Sequence, residues 1–142
     1  MDVVPNTPDG QRKVRRLQPL RVLLSGRDRR FLRVTSFLLA ERGYDVQATS
    51  PKKTLEAVSL HRADVVILET NDSRTMAARK VAALQALAVA PSVLLVYDKE
   101  QEYWPGLIKV KKWIPIDSLV EQIEAAALAR PTPLTEIERA YL

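Results

Sequence analysis

The stretch Asp64-Val65-Val66-Ile67-Leu68-Glu69 decides the fold class of this chain, together with Arg21-Val22-Leu23-Leu24-Ser25-Gly26-Arg27 nearer its start. In both stretches a run of apolar residues leads directly into polar ones. Such runs are typical of central strands in a parallel sheet, which helices cover on both faces. Because the carboxyl ends of parallel strands meet at one edge of the sheet, the sequence predicts a site there.

Strands and helices alternate outward from these two strands. Apolar spacing of three and four residues predicts a first helix over about 28–42 that buries Phe31, Val34, Phe37 and Leu38. The other predicted elements are strands at 21–25, 44–49, 64–68 and 92–97, and helices at about 52–61, from 71–73 to near Pro91, and from Ser118, with Glu121 in a capping box, to about Ala129. A further strand after Gly106 completes a doubly wound, five-stranded parallel α/β sheet, most simply in the flavodoxin-like order 2-1-3-4-5.

The same segments resemble the receiver domains of bacterial response regulators. Residues 21–46 and 63–69 carry the resemblance, which extends over roughly 20–128. It implies a receiver-like domain over 20–129, flanked by a flexible basic arm (1–19) and by a proline-containing linker with a short helix (130–142). The tail from Leu134 to Leu142 weakly resembles the first helix of a Fis-like helix-turn-helix, and the chain stops before any recognition helix.

The resemblance also locates the pocket in which receivers hold Mg²⁺ and accept a phosphoryl group. The positions are Gly26 and Arg27 for the acidic pair, Glu69 for the phosphoacceptor Asp, Val96 for the hydroxyl residue, and Lys112 or, in another register, Ile114 for the lysine. Mg²⁺ requires several hard oxygen ligands, which glycine and a guanidinium do not supply. We therefore expect no metal, no cofactor and no enzyme activity, and a pseudo-receiver that works without phosphorylation.

Arg27 and Glu69 allow alternative roles in this altered pocket. The Arg27 guanidinium could pair with the Glu69 carboxylate and replace the metal, or both side chains could be solvated. Glu69 could also imitate a phosphorylated Asp, although Val96 cannot donate a hydrogen bond to it. Finally, Arg27, Arg29 and Arg30 at the start of the first helix form a candidate anion-binding cluster, which suits a sensor of small anions or nucleotides.

The segment between the fourth and fifth strands is short for this family. Only nine residues, 98–106, are available there, and Pro105 interrupts them. We therefore predict that the usual fourth helix is missing or shortened. Tyr103, Trp104 and Trp113 lie in or next to this region and are candidate anchors for a protein partner. The alternative is that the tryptophans cover the core which the absent helix would expose.

Composition narrows the remaining classes of function. The 142 residues are 46% hydrophobic and fit one domain, and the absence of cysteine excludes thiol chemistry and Cys/His metal sites. The chain has no secretory signal and no apolar segment long enough to span a bilayer, so we expect a cytoplasmic protein without a membrane partner. The net charge of +5 is concentrated near the N-terminus. It favours weak nucleic-acid association through the arm as a further alternative.

These observations favour a protein-interaction module in signal transduction, of the two-component type, or in transcription regulation. The expected partner is another protein, and a homodimer stays open. No glycine-rich nucleotide motif and no nucleophile motif is present among the four glycines and the hydroxyl residues.

Overall fold

The computed structural model describes residues 18–70, 73–98 and 108–129. Within them the elements are β1 (Arg21–Ser25), α1 (Arg29–Glu41), β2 (Asp45–Thr49), a 3₁₀ turn (Pro51–Lys53), α2 (Thr54–His61), β3 (Val65–Glu69), α3 (Arg74–Gln85), β4 (Ser92–Tyr97), β5 (Ile108–Lys111) and α4 (Ile116–Ala129). All strand pairs are parallel, and the strand order is β2-β1-β3-β4-β5. The predicted flavodoxin-like topology is confirmed.

The two stretches that predicted the fold form the centre of the sheet. β1 pairs with β3 so that Val22 lies opposite Val65 and Ser25 opposite Leu68. All five residues of β3 are buried. This register brings the carboxyl ends of β1 and β3 side by side, which is why residues 26–28 lie next to Glu69.

Helices cover both faces of the sheet. On one face α1 and α4 enclose a core cluster that contains Val22, Leu24 and Ile67, with Leu119 and Ile123 contributed by α4. On the other face α2 and α3 cover two smaller clusters, which include Leu23, Val66 and Leu68 from the sheet.

Two polar contacts fasten α4 to the sheet. The Ser92 hydroxyl, at the start of β4, donates to the carbonyl oxygen of Ala126 at 2.7 Å. The Tyr44 hydroxyl, next to β2, donates to Glu124 at 2.5 Å. These contacts hold the second half of α4 against the same face of the sheet on which α1 packs.

Of the four residues predicted to be buried on α1, Phe31 is buried and the other three are not. The buried residues are Phe31, Thr35 and Leu39, at a strict four-residue spacing. Val34, Phe37 and Leu38 are instead 38%, 63% and 36% exposed. Thr35 is small enough to lie against the sheet, so the polar residue takes the core position and the larger apolar residues turn outward.

Some predicted boundaries also differ from the structure. α4 begins at Ile116, so Ser118 lies inside the helix and is not its cap. α3 ends at Gln85 rather than near Pro91. The arm up to residue 17, the segment 99–107 with the predicted loss of the fourth helix, and the tail 130–142 lie outside the described residues.

Candidate functional site

Glu69 is a buried carboxylate at the carboxyl end of β3. It is 8% exposed. Its Oε1 accepts hydrogen bonds from the backbone N–H groups of Arg27 at 2.9 Å and Asp28 at 3.2 Å. Both donors belong to the turn that joins β1 to α1. The β1–β3 pairing therefore decides where the Glu69 charge is placed.

Asp28 is the N-cap of α1. Its backbone is extended, with φ −78°, and its Oδ1 accepts from the N–H groups of Arg30 at 3.0 Å and Phe31 at 3.1 Å. A carboxylate at this position satisfies free helix donors and interacts favourably with the helix dipole. The first turn of α1 is thus closed by a residue of the chain itself.

Lys112 joins the two carboxylates. It follows β5, where its N–H donates to the carbonyl of Tyr97 at 2.7 Å. Its ammonium lies 2.6 Å from Asp28 Oδ2 and 3.3 Å from Glu69 Oε2, and its side chain is only 6% exposed. Every oxygen of both carboxylates therefore has a donor from this chain.

The charges in this cluster shift the pKa of two of its members. The hydrogen bond from the Lys112 ammonium, followed by the N–H of Phe31, lowers the pKa of Asp28 below its usual range. Burial acts to lower the pKa of Lys112, but the hydrogen bond to Asp28 and the charge of Glu69 outweigh it, so that pKa is raised. Asp28 therefore stays ionised in mildly acidic solution, and Lys112 stays charged in mildly alkaline solution.

Gly26 and Val96 border the cluster without contributing polar groups. Gly26 is buried, and a Cβ placed on it would lie 2.8 Å from the Cβ of Glu69 and would overlap its carboxylate. Val96 is 1% exposed, belongs to the core, and lies opposite Glu69 in the β3–β4 register. The space beside Glu69 therefore accepts no side chain larger than that of glycine.

A divalent metal does not fit this arrangement. An ammonium group already lies between the two carboxylates, and the remaining oxygens bind backbone N–H groups. Among residues 18–70, 73–98 and 108–129, no group of three or more His, Cys, Asp or Glu side chains could hold a metal ion. The donor set thus matches a lysine cation rather than an octahedral magnesium ion.

Only some of the predicted site residues lie together in the structure. Gly26, Glu69 and Lys112 lie together, whereas Ile114 packs against the core. The Arg27 guanidinium does not pair with Glu69, because in the described part of the chain the cation on that carboxylate is Lys112 and Arg27 contributes its N–H. Of the two alternatives for this pair, the ion pair is therefore not formed, and Arg27 is solvated whereas Glu69 is buried.

The candidate anion cluster has exposed guanidinium groups, but most of its backbone N–H groups are already hydrogen-bonded. Arg27, Arg29 and Arg30 are exposed at the start of α1. The N–H groups of residues 27, 28, 30 and 31 already donate to Glu69 and Asp28. An incoming anion would find three guanidinium groups but few free backbone donors.

Sequence reasoning missed the double role of Asp28. Its position just before an apolar helix, and ahead of Arg29 and Arg30, was a sufficient signal for an N-cap. Its second contact, with Lys112, joins residues 84 positions apart and has no local signature.

Of the predicted interface aromatics, Trp113 lies in the described part of the chain. It is 50% exposed, and its ring packs edge-on against Phe31 with centroids 5.3 Å apart. Tyr103 and Trp104 lie outside the described residues.

The comparisons with known proteins give the fold. No family model matches the chain, and no curated protein matches it either. The receiver domain (CheY-like) of a response regulator from Methylobacillus flagellatus superposes with a TM-score of 0.66 at 20% identity, over 77% of this chain and 99% of that one. This chain has the receiver fold.

Two further response regulators superpose similarly. CheY4, a chemotaxis response regulator of Vibrio cholerae, has a TM-score of 0.64 at 17% identity, over 77% of this chain and 99% of that one. HP1043, an orphan response regulator of H. pylori, has a TM-score of 0.63 at 19% identity, over 76% of this chain and 96% of that one. Within residues 18–70, 73–98 and 108–129, no helix is both long and apolar enough to traverse a bilayer.

Proposed function

We propose that this chain is a pseudo-receiver that works without phosphorylation, as a protein-interaction module in signal transduction or transcription regulation. The observation that carries the proposal is the Lys112 ammonium between the carboxylates of Asp28 and Glu69, at 2.6 and 3.3 Å. The cation that engages both carboxylates belongs to the chain, and the positions at which an acidic pair would hold a metal carry Gly26 and Arg27. In this proposal the pocket carries its own counter-cation, one ammonium for two carboxylates, and its state does not depend on Mg²⁺ or on a phosphodonor.

Three features of the pocket oppose phosphoryl transfer. The carboxylate of Glu69 already accepts a hydrogen bond on each oxygen, which makes both oxygens weaker nucleophiles toward phosphorus. No second acidic side chain fits at Gly26. At the end of β4, Val96 offers no hydroxyl to a transferred group. The receiver scaffold, without this chemistry, leaves recognition of a partner as the function that its surface can perform.

The test is exposure of the full chain to acetyl phosphate and Mg²⁺, followed by intact mass measurement, with an ordinary receiver domain treated in parallel. We expect phosphorylation of the control alone. We also expect no change in the melting temperature of this chain with Mg²⁺, since binding to the native state would raise it. A phosphoryl adduct mapped to Glu69 or Asp28 would refute the proposal, while acetylated lysines, which differ in mass, would not.

Two alternative functions rest on the basic residues of the chain. An anion or nucleotide sensor at Arg27, Arg29 and Arg30 is supported by the exposed guanidinium groups, but the N–H groups that usually complete such a site are occupied. Thermal-shift screening against phosphorylated metabolites tests it. Nucleic-acid association through the arm is tested by deleting residues 1–19 and measuring salt-dependent binding.

A further inference from the structure

The start of α1 and the turn before it carry four exposed arginines, at positions 27, 29, 30 and 33. Asp28 is the one acidic residue in positions 27–40, and its two carboxylate oxygens already accept hydrogen bonds from Lys112 and from backbone N–H groups. Within the described residues, none of the four arginines forms an ion pair with a carboxylate. This end of the domain therefore presents concentrated positive charge, which attracts polyanions.

Folding places an exposed aromatic ring beside these arginines. Trp113 is 50% exposed, and the Arg30 guanidinium lies over its ring at 6.0 Å from the centroid. The two residues are far apart in the chain, since α1 follows the first strand and Trp113 follows the fifth. The folded domain therefore combines positive charge with a surface on which a planar ring can stack, which the arginine-rich segment alone does not have.

The Trp113 ring is held in one orientation. Its φ is +65°, a left-handed conformation in which a bulky residue persists only where its surroundings fix it. The preceding residue, Lys112, is anchored by Asp28 at 2.6 Å and Glu69 at 3.3 Å, and the indole packs edge-on against Phe31. A side chain that is already ordered loses little conformational entropy when a ligand stacks on it.

β5 adds further cations and a second aromatic ring near Trp113. Lys111 is exposed, and the Lys109 ammonium lies over the ring of Tyr97 at 5.7 Å from its centroid. Tyr97 lies opposite Lys111 in the β4–β5 register, so both aromatic residues belong to the same edge of the sheet. Lysines and arginines gathered around exposed aromatic rings are typical of surfaces that bind nucleic acids.

From this combination we infer that the surface formed by Arg30, Arg33 and Trp113 binds single-stranded nucleic acid. The guanidinium groups bind backbone phosphates, and an unpaired base stacks on the exposed part of the indole. A single strand suits this surface better than a duplex, because the bases of a duplex are stacked on one another and cannot reach the ring. This function is separate from the proposed protein interaction and does not depend on it.

The experiment is a titration of the full chain into fluorescently labelled oligo(U) and oligo(dT) of about 12 nucleotides in about 50 mM salt, followed by fluorescence anisotropy. An unlabelled duplex of the same length and polyglutamate serve as competitors. We expect at least one of the two single strands to bind, and the stronger one assigns the ligand as RNA or DNA. The duplex and polyglutamate should each compete at least about 10-fold less well than the unlabelled single strand.

Variants of the full chain separate stacking from charge. Trp113→Gly removes the ring and suits the left-handed φ; it should weaken binding about 10-fold, and Trp113→Phe should restore part of the loss. Arg33→Glu should weaken binding about 5- to 10-fold and make the salt dependence shallower. Arg79→Glu is the matched control, since Arg79 is exposed on α3 across the sheet, and it should change affinity by less than about 2-fold. Circular dichroism checks that each variant is folded, and Arg33→Glu, on an exposed helical position, keeps the test decisive if Trp113→Gly is unstable.

Several outcomes overturn the inference. They are no binding of either single strand, unchanged affinity of a folded Trp113→Gly variant, equal losses in Arg33→Glu and Arg79→Glu, and equal competition by the duplex or by polyglutamate. Equal competition by the duplex would leave only a general attraction of charge, and equal competition by polyglutamate would assign the surface to an acidic protein. The proposed function is decided separately, by the phosphorylation experiment, so the failure of one is distinguishable from the failure of the other.

Discussion

Removal of the Lys112 ammonium is the sharpest perturbation of the pocket. Lys112→Met keeps the length of the apolar stem and leaves two carboxylates without their shared cation. Removing one partner of a buried ion pair lowers the free energy of unfolding by about 3–5 kcal/mol. Glu69 retains two backbone N–H donors, and the Asp28 side chain is 34% exposed, so water can replace part of its lost contact. We therefore expect a loss of about 2–3 kcal/mol in the free energy of unfolding.

The assay is urea unfolding followed by circular dichroism, together with the melting temperature, which should fall by roughly 5–10 °C. Lys111→Met is the matched control, since Lys111 is exposed, and it should change stability by less than about 0.5 kcal/mol. Glu69→Gln removes the buried negative charge. It should therefore rescue part of the loss in the double variant, with a coupling of about 1–2 kcal/mol.

Equal stability of Lys112→Met and Lys111→Met would show that the Lys112 ion pairs do not stabilise the fold. Simple additivity of the effects of Lys112→Met and Glu69→Gln would show that the two side chains do not interact. Since the pair is buried, the coupling should persist in 0.5 M salt, in which surface pairs are screened.

The other predictions concern neighbouring contacts. Gly26→Ala should destabilise the fold by about 1–3 kcal/mol through overlap with Glu69, and a melting temperature equal to that of the wild type would contradict the packing described here. Folding lowers the pKa of Asp28, so the stabilisation from its carboxylate is present above the unfolded pKa and is lost as the pH falls through the folded pKa. The difference in unfolding free energy between wild type and Asp28→Asn should therefore disappear below about pH 4. Urea unfolding at several pH values measures this difference. Thr54→Val removes a buried hydroxyl contact of 2.6 Å with Ser25 and should cost about 1–2 kcal/mol in urea unfolding, whereas a neutral effect would show that the contact carries no net stabilisation.

The sheet was predictable because its signal is local. The apolar runs Val22–Leu24 in β1 and Val65–Leu68 in β3 are typical of strands buried on both faces, and the helices between them favour a parallel arrangement. The phase of α1 was not predictable in the same way. Phe37 and Leu38 are as apolar as true core residues, and only the geometry of the sheet decides that Thr35 faces it.

The candidate site was predictable in position but not in its contacts. The strand ends identified Gly26 and Glu69, since register brings those ends together. Lys112 was predicted as a pocket residue in one of two registers, but its pairing with Glu69 was not. Arg27 is near in sequence to the β1 strand end, whereas Lys112 reaches Glu69 across 43 residues. The backbone N–H groups that donate to Oε1 of that carboxylate could not be predicted, because nearly every residue type has such a group.

The position of α4 in the core has a consequence for synthesis of the protein. Leu119, Ile123 and Ala126 complete the cluster against strands that the ribosome has made up to a hundred residues earlier. Until those residues emerge, a nascent chain exposes the apolar side of β1 and β3 to solvent, and such surfaces promote aggregation. Folding of this domain is therefore completed only after nearly all of it has left the exit tunnel, and fragments that stop before residue 119 should depend on chaperones to remain in solution.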